Sequence, residues 1–177
     1  MEIVNPESPR EWDNLGHMIC WHRLYNLGDE HNYADPDQFL FELAYEVSHQ
    51  ERFDQDPAFV DDESLFDRAR EVIYERAVIL PLYLFDHSGL FMSTSTEVFA
   101  AFDPYGFDWR QVGYIYVTRE EIMREWEAKR LTKRLRTKAE RVLLDEVSTY
   151  NDYLVGNVLY YEVEKEGTIE DSCYGRD

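Results

Sequence analysis

The chain has 177 residues, enough for one ordinary domain built around a single apolar core. It is 44% hydrophobic and 15% aromatic with only 8 Gly and 6 Pro, a composition that offsets the entropy of folding and excludes wholesale disorder. Its 37 acidic residues against 18 basic ones leave a net charge of -19, a field that repels DNA, RNA and anionic membranes and attracts basic partners.

The opening "MEIVNPESPREW" has no basic stretch followed by an apolar run, and no later window reaches the roughly 18 apolar residues of a membrane span. A cytoplasmic protein without a membrane segment is expected. "HMICWH" reads as a first strand. In "DPDQFLFELAYEVSHQ", Asp35 can cap, Pro36 suits the first helical position and Gln38 completes a capping box, which predicts a helix over about 36–50. "RFDQDPAFVDD" reads as a loop. "DDESLFDRAREVIYERA" repeats the helical pattern over about 62–77, with acidic residues in its first turn favourable to the helix dipole. "AVILPLYLF" is an apolar run of strand length in which Pro81 removes one ladder donor and points to an edge or bulge. It turns at Asp86, His87, Ser88 and Gly89 into "LFMSTST", giving a β-hairpin.

After a second loop, "FAAFDPYGFDWR", comes the strand "QVGYIYV". Thr118 and Glu121 then form a capping box that starts a helix, and a longer helix is expected over about 131–154. "NVLYYEVE" and "TIEDSCY" make a C-terminal hairpin around Lys165, Glu166 and Gly167. Hairpins with helices that do not alternate strictly with strands predict an α+β fold: one domain over 1–177, with a largely antiparallel sheet of about five to six strands and about four helices.

Charge is uneven along the chain. Residues 118–141 carry 9 basic against 5 acidic side chains, while residues 1–117 carry 23 acidic against 7 basic. The basic stretch "KRLTKRLRTKAER" is amphipathic, and its cations offset the acidic remainder; direct nucleic-acid binding through it would oppose the surrounding field.

Three places can carry chemistry. "CWHRLYNLGDEH" offers Cys20, His22, Asp29 and His31, all donors for a borderline metal if the chain folds back at Asn26, Leu27 and Gly28. The same letters also describe a strand leading into a structural corner, with no fourth ligand fixed and no cofactor implied. "DHSG" puts a carboxylate, an imidazole and a hydroxyl in sequence, but adjacent residues point their side chains apart, and the turn explains every letter except His87. If His22 and His87 converge, they supply a general acid and base for phosphoryl or hydrolytic chemistry, with Arg23 stabilising an anion. The third place is the acidic surface, for which Asp29, Glu30, Asp61, Asp62, Glu63 and Asp67 are the candidates. Carboxylates spread over helices and loops can imitate the phosphates of duplex DNA, and they can equally be the solvating surface of a salt-adapted interaction module. Phosphate-binding glycine loops, G-x-S-x-G and H-E-x-x-H are absent from the sequence.

The strings "ESPREWDNLGHMICWHRLYNLGDEH", "LPLYLFDHSG", "QVGYIYVTREEI" and "DSCYG" together resemble a family of accessory proteins carried by bacteriophages, archaeal viruses and plasmids. That family shows N-L-G-x-M-x-C-x-H-R-x-Y-x-L-G-D, Y-D-H-S-G and Q-V-G-x-I-Y-V in the same order. Leu24 and Phe85 stand where its pattern has Arg and Tyr, and no catalytic residue is carried over. The resemblance implies a mobile-element gene whose product opposes host defence. An acidic protein in that setting is expected to bind a basic surface, such as that of a host DNA-binding or defence complex.

Overall fold

The computed structural model describes residues 7–48, 62–87, 89–101, 103–165 and 168–176. The order is β1 (His17–Cys20), α1 (Pro36–Val47), α2 (Asp62–Arg76), β2 (Ala77–Asp86), β3 (Leu90–Ser93), β4 (Trp109–Thr118), α3 (Arg119–Glu125), α4 (Lys133–Leu154), β5 (Val158–Lys165) and β6 (Thr168–Arg176). Short 3-10 turns occupy Pro9–Glu11 and Glu97–Phe99. The fold is α+β, as the pattern of hairpins and helices predicts. The six strands do not form one sheet, however. Among the described residues four form an antiparallel sheet in the order β1-β4-β2-β3, and β5 and β6 pair with each other in a separate two-stranded sheet.

The period-2 alternation of the strands sorts apolar side chains onto two faces. Met18, Cys20, Leu82, Leu84, Ile115 and Val117 face Ile122 of α3 and Ala139, Leu143, Val147 and Tyr150 of α4. Ile19, Ala77 and Tyr116 face Phe39, Leu43 and Val47 of α1 and Ala69 and Ile73 of α2. The sheet is therefore covered on both sides: α3 and α4 on one, α1 and α2 on the other.

Local chemistry sets most element ends. Asp35 accepts from Gln38 N at 2.8 Å at the start of α1, while the Gln38 side chain reaches past the cap to accept from Ala34 N at 2.7 Å. Thr118 and Glu121 form the reciprocal capping box expected at α3, and Thr132 caps α4. The carbonyls at the end of α2 are met from a distance: Arg136 of α4 donates to Ala77 O at 2.6 Å and Glu75 O at 3.0 Å.

Pro81 lies in β2 opposite Tyr114, in a stretch that β3 does not reach because its pairing begins at Tyr83. It thus has a strand neighbour on one side only, the position where a missing donor is tolerated. The register slips between Leu82 and Tyr83, so β2 carries the expected irregularity as well. Next to it, Gly113 brings β1 and β4 unusually close, since a Cβ there would lie 2.0 Å from Ile19 O.

Candidate functional site

β1 ends at Cys20, and the chain runs out through Trp21 to Asn26 before returning beside β1 at Gly28. Gly28 has a φ of +73° and bridges to Ile19, and a Cβ at that point would sit 2.4 Å from Met18 O. Asp29 then donates its N–H to Met18 O at 2.7 Å. The Leu-Gly turn is what makes this return possible.

Cys20, Asp29 and His31 are fixed within the corner. The Cys20 thiol packs beneath the Gly28 backbone, and burial pushes it up to about 12, so at neutral pH it is a protonated core group rather than a thiolate. Asp29 accepts from Arg10 Nε at 2.7 Å, from Arg10 Nη2 at 3.0 Å and from Met18 N at 2.7 Å. His31 donates through Nε2 to Cys20 O at 2.8 Å and packs its ring between Trp21 and Tyr33. Among the described residues no three His, Cys, Asp or Glu side chains stand together where a metal ion could be held. Three of the four donors of the opening stretch, Cys20, Asp29 and His31, form a structural corner instead.

Arg10 is the centre of that corner. Its side chain is only 5% exposed, and besides Asp29 it reaches Glu146 Oε2 at 3.1 Å and Gly16 O at 2.6 Å. Glu146 in turn accepts from Leu15 N at 2.8 Å and Gly16 N at 3.1 Å. One guanidinium therefore ties the N-terminal turn, the β1 return and α4 together. Burial opposes its charge, but Asp29 and Glu146 more than offset this and raise its pKa.

His22 is the part of the stretch left for chemistry. Its ring stacks on Tyr25, Nδ1 lies 3.2 Å from Leu24 N, and Nε2 lies 3.2 Å from Arg110 Nη2. Burial and then the Arg110 guanidinium hold its pKa below the ordinary value, with Asp86 pulling the other way and Arg23 adding to the depression. The ring is neutral at pH 7, a proton acceptor beside two guanidinium groups. It opens on a groove of about 1350 Å³ lined by Arg23, Tyr25 and, from α4, Tyr150 and Tyr153.

His87 lies at the same end of the sheet, because Asp86 N donates to Asp108 O just before β4 begins. His87 Nδ1 is 3.5 Å from Asp108 Oδ2, both side chains are exposed, and the groove lining takes in His22 and Arg23 but leaves His87 out. The two histidines thus share a sheet end without sharing a cleft. Arg110, the charged side chain beside His22, carries no sequence signal: it is one exposed residue in a loop-to-strand transition.

The acidic candidates fall elsewhere. Glu30 and Asp67 are exposed, Asp62 and Glu63 open α2, and Asp61 lies outside the described residues. Asp29 is taken up by Arg10, so it is an internal ion-pair partner and not part of an open acidic surface. The outer side of the α1–α2 layer presents Asp35, Asp37, Glu42, Glu46, Asp67, Glu71 and Glu75 to solvent. Arg68 and Arg70 on that layer are drawn to Glu71 and Asp67 at 3.1 and 3.9 Å. Across the sheet, the start of α4 exposes Lys133, Arg134 and Lys138, the last lying 4.4 Å over the Trp126 ring. The surface is polarised, acidic over α1 and α2 and basic at the start of α4. Among the described residues no helix is long and apolar enough to cross a membrane.

Comparison with protein-family models, curated proteins and solved structures finds no match to the chain.

Proposed function

We propose that the chain is an accessory protein of a mobile genetic element that binds, without catalysis, a basic surface of a host nucleic-acid-processing or defence complex. The observation that carries this reading is the run of seven exposed carboxylates on the outer side of α1 and α2, facing away from the basic start of α4. Such a polarised field orients an approaching basic partner toward one face. The resemblance of the sequence to phage and plasmid accessory proteins supports the same context. The test is capture from host lysate at about 50 mM salt followed by elution toward about 500 mM, over which the Debye length shrinks about threefold. A DNA-binding protein released by salt and displaced by added duplex DNA is the expected result. Capture that survives both, or that is unchanged in a Glu42→Lys, Glu71→Lys, Glu75→Lys variant, overturns the reading.

A catalytic alternative draws on one observation, the neutral His22 beside Arg110 at the mouth of the groove. Under that reading a folded His22→Ala protein loses its biological effect, whereas the binding reading leaves the effect intact.

A further inference from the structure

Beside α1, the edge strand β1 and the chain leading from it into the helix enclose a pocket of about 490 Å³. Its lining includes His17 and Tyr116, cross-strand partners on β1 and β4 with ring centroids 5.1 Å apart. It also includes Tyr33, stacked on His31 at 5.7 Å. The buried Phe39 touches both ring pairs, 5.4 Å from Tyr116 and 5.2 Å from Tyr33.

The fixed charge of this pocket is negative. Exposed Glu30 and Glu42 line it, and among the described residues no Lys or Arg does. Gln38 Nε2 donates to Glu42 Oε1 at 2.6 Å, which holds that carboxylate in place at the rim and leaves its second oxygen open. His17, the ring that gains a proton most readily, is drawn to Glu121 at 2.7 Å.

Tyr116 adds an observation independent of the carboxylates. It is only 7% exposed, yet among the described residues its hydroxyl meets no hydrogen-bond partner, and the side chain lines the pocket. A buried hydroxyl ordinarily has a partner, so this one is an acceptor without a donor. Burial, then Tyr33 and the carboxylates of Glu46, Glu121 and Asp29, push its phenol up. Burial followed by Glu42 and Glu46 does the same to Tyr33. Both phenols therefore stay neutral in a negative field that favours a cation. A planar guanidinium suits such a site better than an ammonium, because it stacks on aromatic faces and donates through several N–H groups at once.

We propose that this pocket receives an arginine side chain of the basic partner, its guanidinium held among the rings and donating to the Glu30 and Glu42 carboxylates and the Tyr116 hydroxyl. The inference rests on the reading of the α1–α2 face as the surface that meets a basic partner, and it names the side chain that anchors that partner.

The probe is a fluorescein-labelled hexa-arginine peptide, titrated with the full chain by anisotropy at about 50 mM salt beside its hexalysine counterpart. The arginine peptide is expected to bind about fivefold tighter. Tyr116→Phe removes a hydroxyl that bonds nothing in the chain, so it leaves the melting temperature unchanged while lowering the preference for arginine. Tyr33→Leu, which removes one stacking surface at a half-buried position, lowers it too. The Glu71→Lys, Glu75→Lys variant of α2 weakens both peptides alike and preserves the preference. Equal affinity for the two peptides, or a preference that survives both tyrosine substitutions, overturns the proposal. A preference that disappears in the α2 variant reduces it to bulk charge and overturns it as well. Capture of a DNA-binding protein from lysate is read separately: capture without an arginine preference removes the pocket alone, and an arginine preference without capture removes the broader reading alone.

Discussion

At the scale of single residues, the corner around Arg10 depends on one cation shared by two carboxylates. Removing the guanidinium leaves Asp29 and Glu146 facing each other, and strips Gly16 O of its donor in a place with little access to water. Breaking one side of a buried ion pair costs about 3–5 kcal/mol. Arg10→Ala is therefore expected to lower the melting temperature on the order of 10 °C in a chain of this size. Arg10→Lys keeps the charge but cannot reproduce the two-pronged contact with Asp29, so it recovers only part of the loss. Calorimetry on the three proteins checks this, and a fall of less than about 3 °C for Arg10→Ala would show that the corner contributes little. None of this was legible in the sequence. Asp29 stands out in its string only as a metal donor or surface carboxylate, Arg10 and Glu146 do not stand out at all, and only the packed fold brings α4 against the first turn.

At the scale of elements, what could be read depended on how far the determining contact reaches. The Asp35 cap of α1 and the capping box of α3 act over a few residues and were written in the chain, as was the irregularity at Pro81, whereas Gln38 does not close the box expected at α1 but reaches past the cap to Ala34 N. The separation of β5 and β6 from the main sheet was not, because alternating side chains look the same whichever sheet a strand joins. The link between β1 and α3 is intermediate: Glu121 was visible as a capping residue, but its second partner, His17 at 2.7 Å, was not. Burial would raise the Glu121 carboxyl, yet the His17 and Thr118 hydrogen bonds overcome it and hold it at about 2. The hydrogen bond to Glu121 raises His17 above its ordinary value, against burial. The signs are opposite. Glu121 contributes stability that is complete above its ordinary 4.5 and lost as pH falls toward about 2. His17 contributes stability that is complete below its ordinary 6.5 and lost as pH rises through the raised value. The pair is therefore worth most between pH 4.5 and 6.5. The difference in melting temperature between the native chain and His17→Gln should peak in that window and shrink on both sides, modestly because His17 is 47% exposed. A difference that keeps growing above pH 8 would contradict the ion pair.

For the whole molecule, the question left by a net charge of -19 is whether the carboxylates serve a partner or only the solvent. The two uses differ in how they treat self-repulsion. A salt-adapted surface carries its charge on all sides and relies on molar salt to relieve the repulsion that destabilises the compact state. Here the balance differs by side: the seven exposed carboxylates of the α1–α2 layer meet few cations, while across the sheet the exposed Glu140 and Asp145 share α4 with the exposed Lys133, Arg134, Lys138 and Arg141. Most of the screening that such a layer can use is reached by roughly physiological salt, where the Debye length is already about 8 Å. Melting temperature is therefore expected to rise from about 10 mM to about 150 mM KCl and then flatten, with Glu42→Lys, Glu71→Lys, Glu75→Lys removing most of the early rise. A steady climb into molar KCl, unaffected by those three substitutions, would assign the acidity to salt adaptation and leave the α1–α2 face without a partner to explain it.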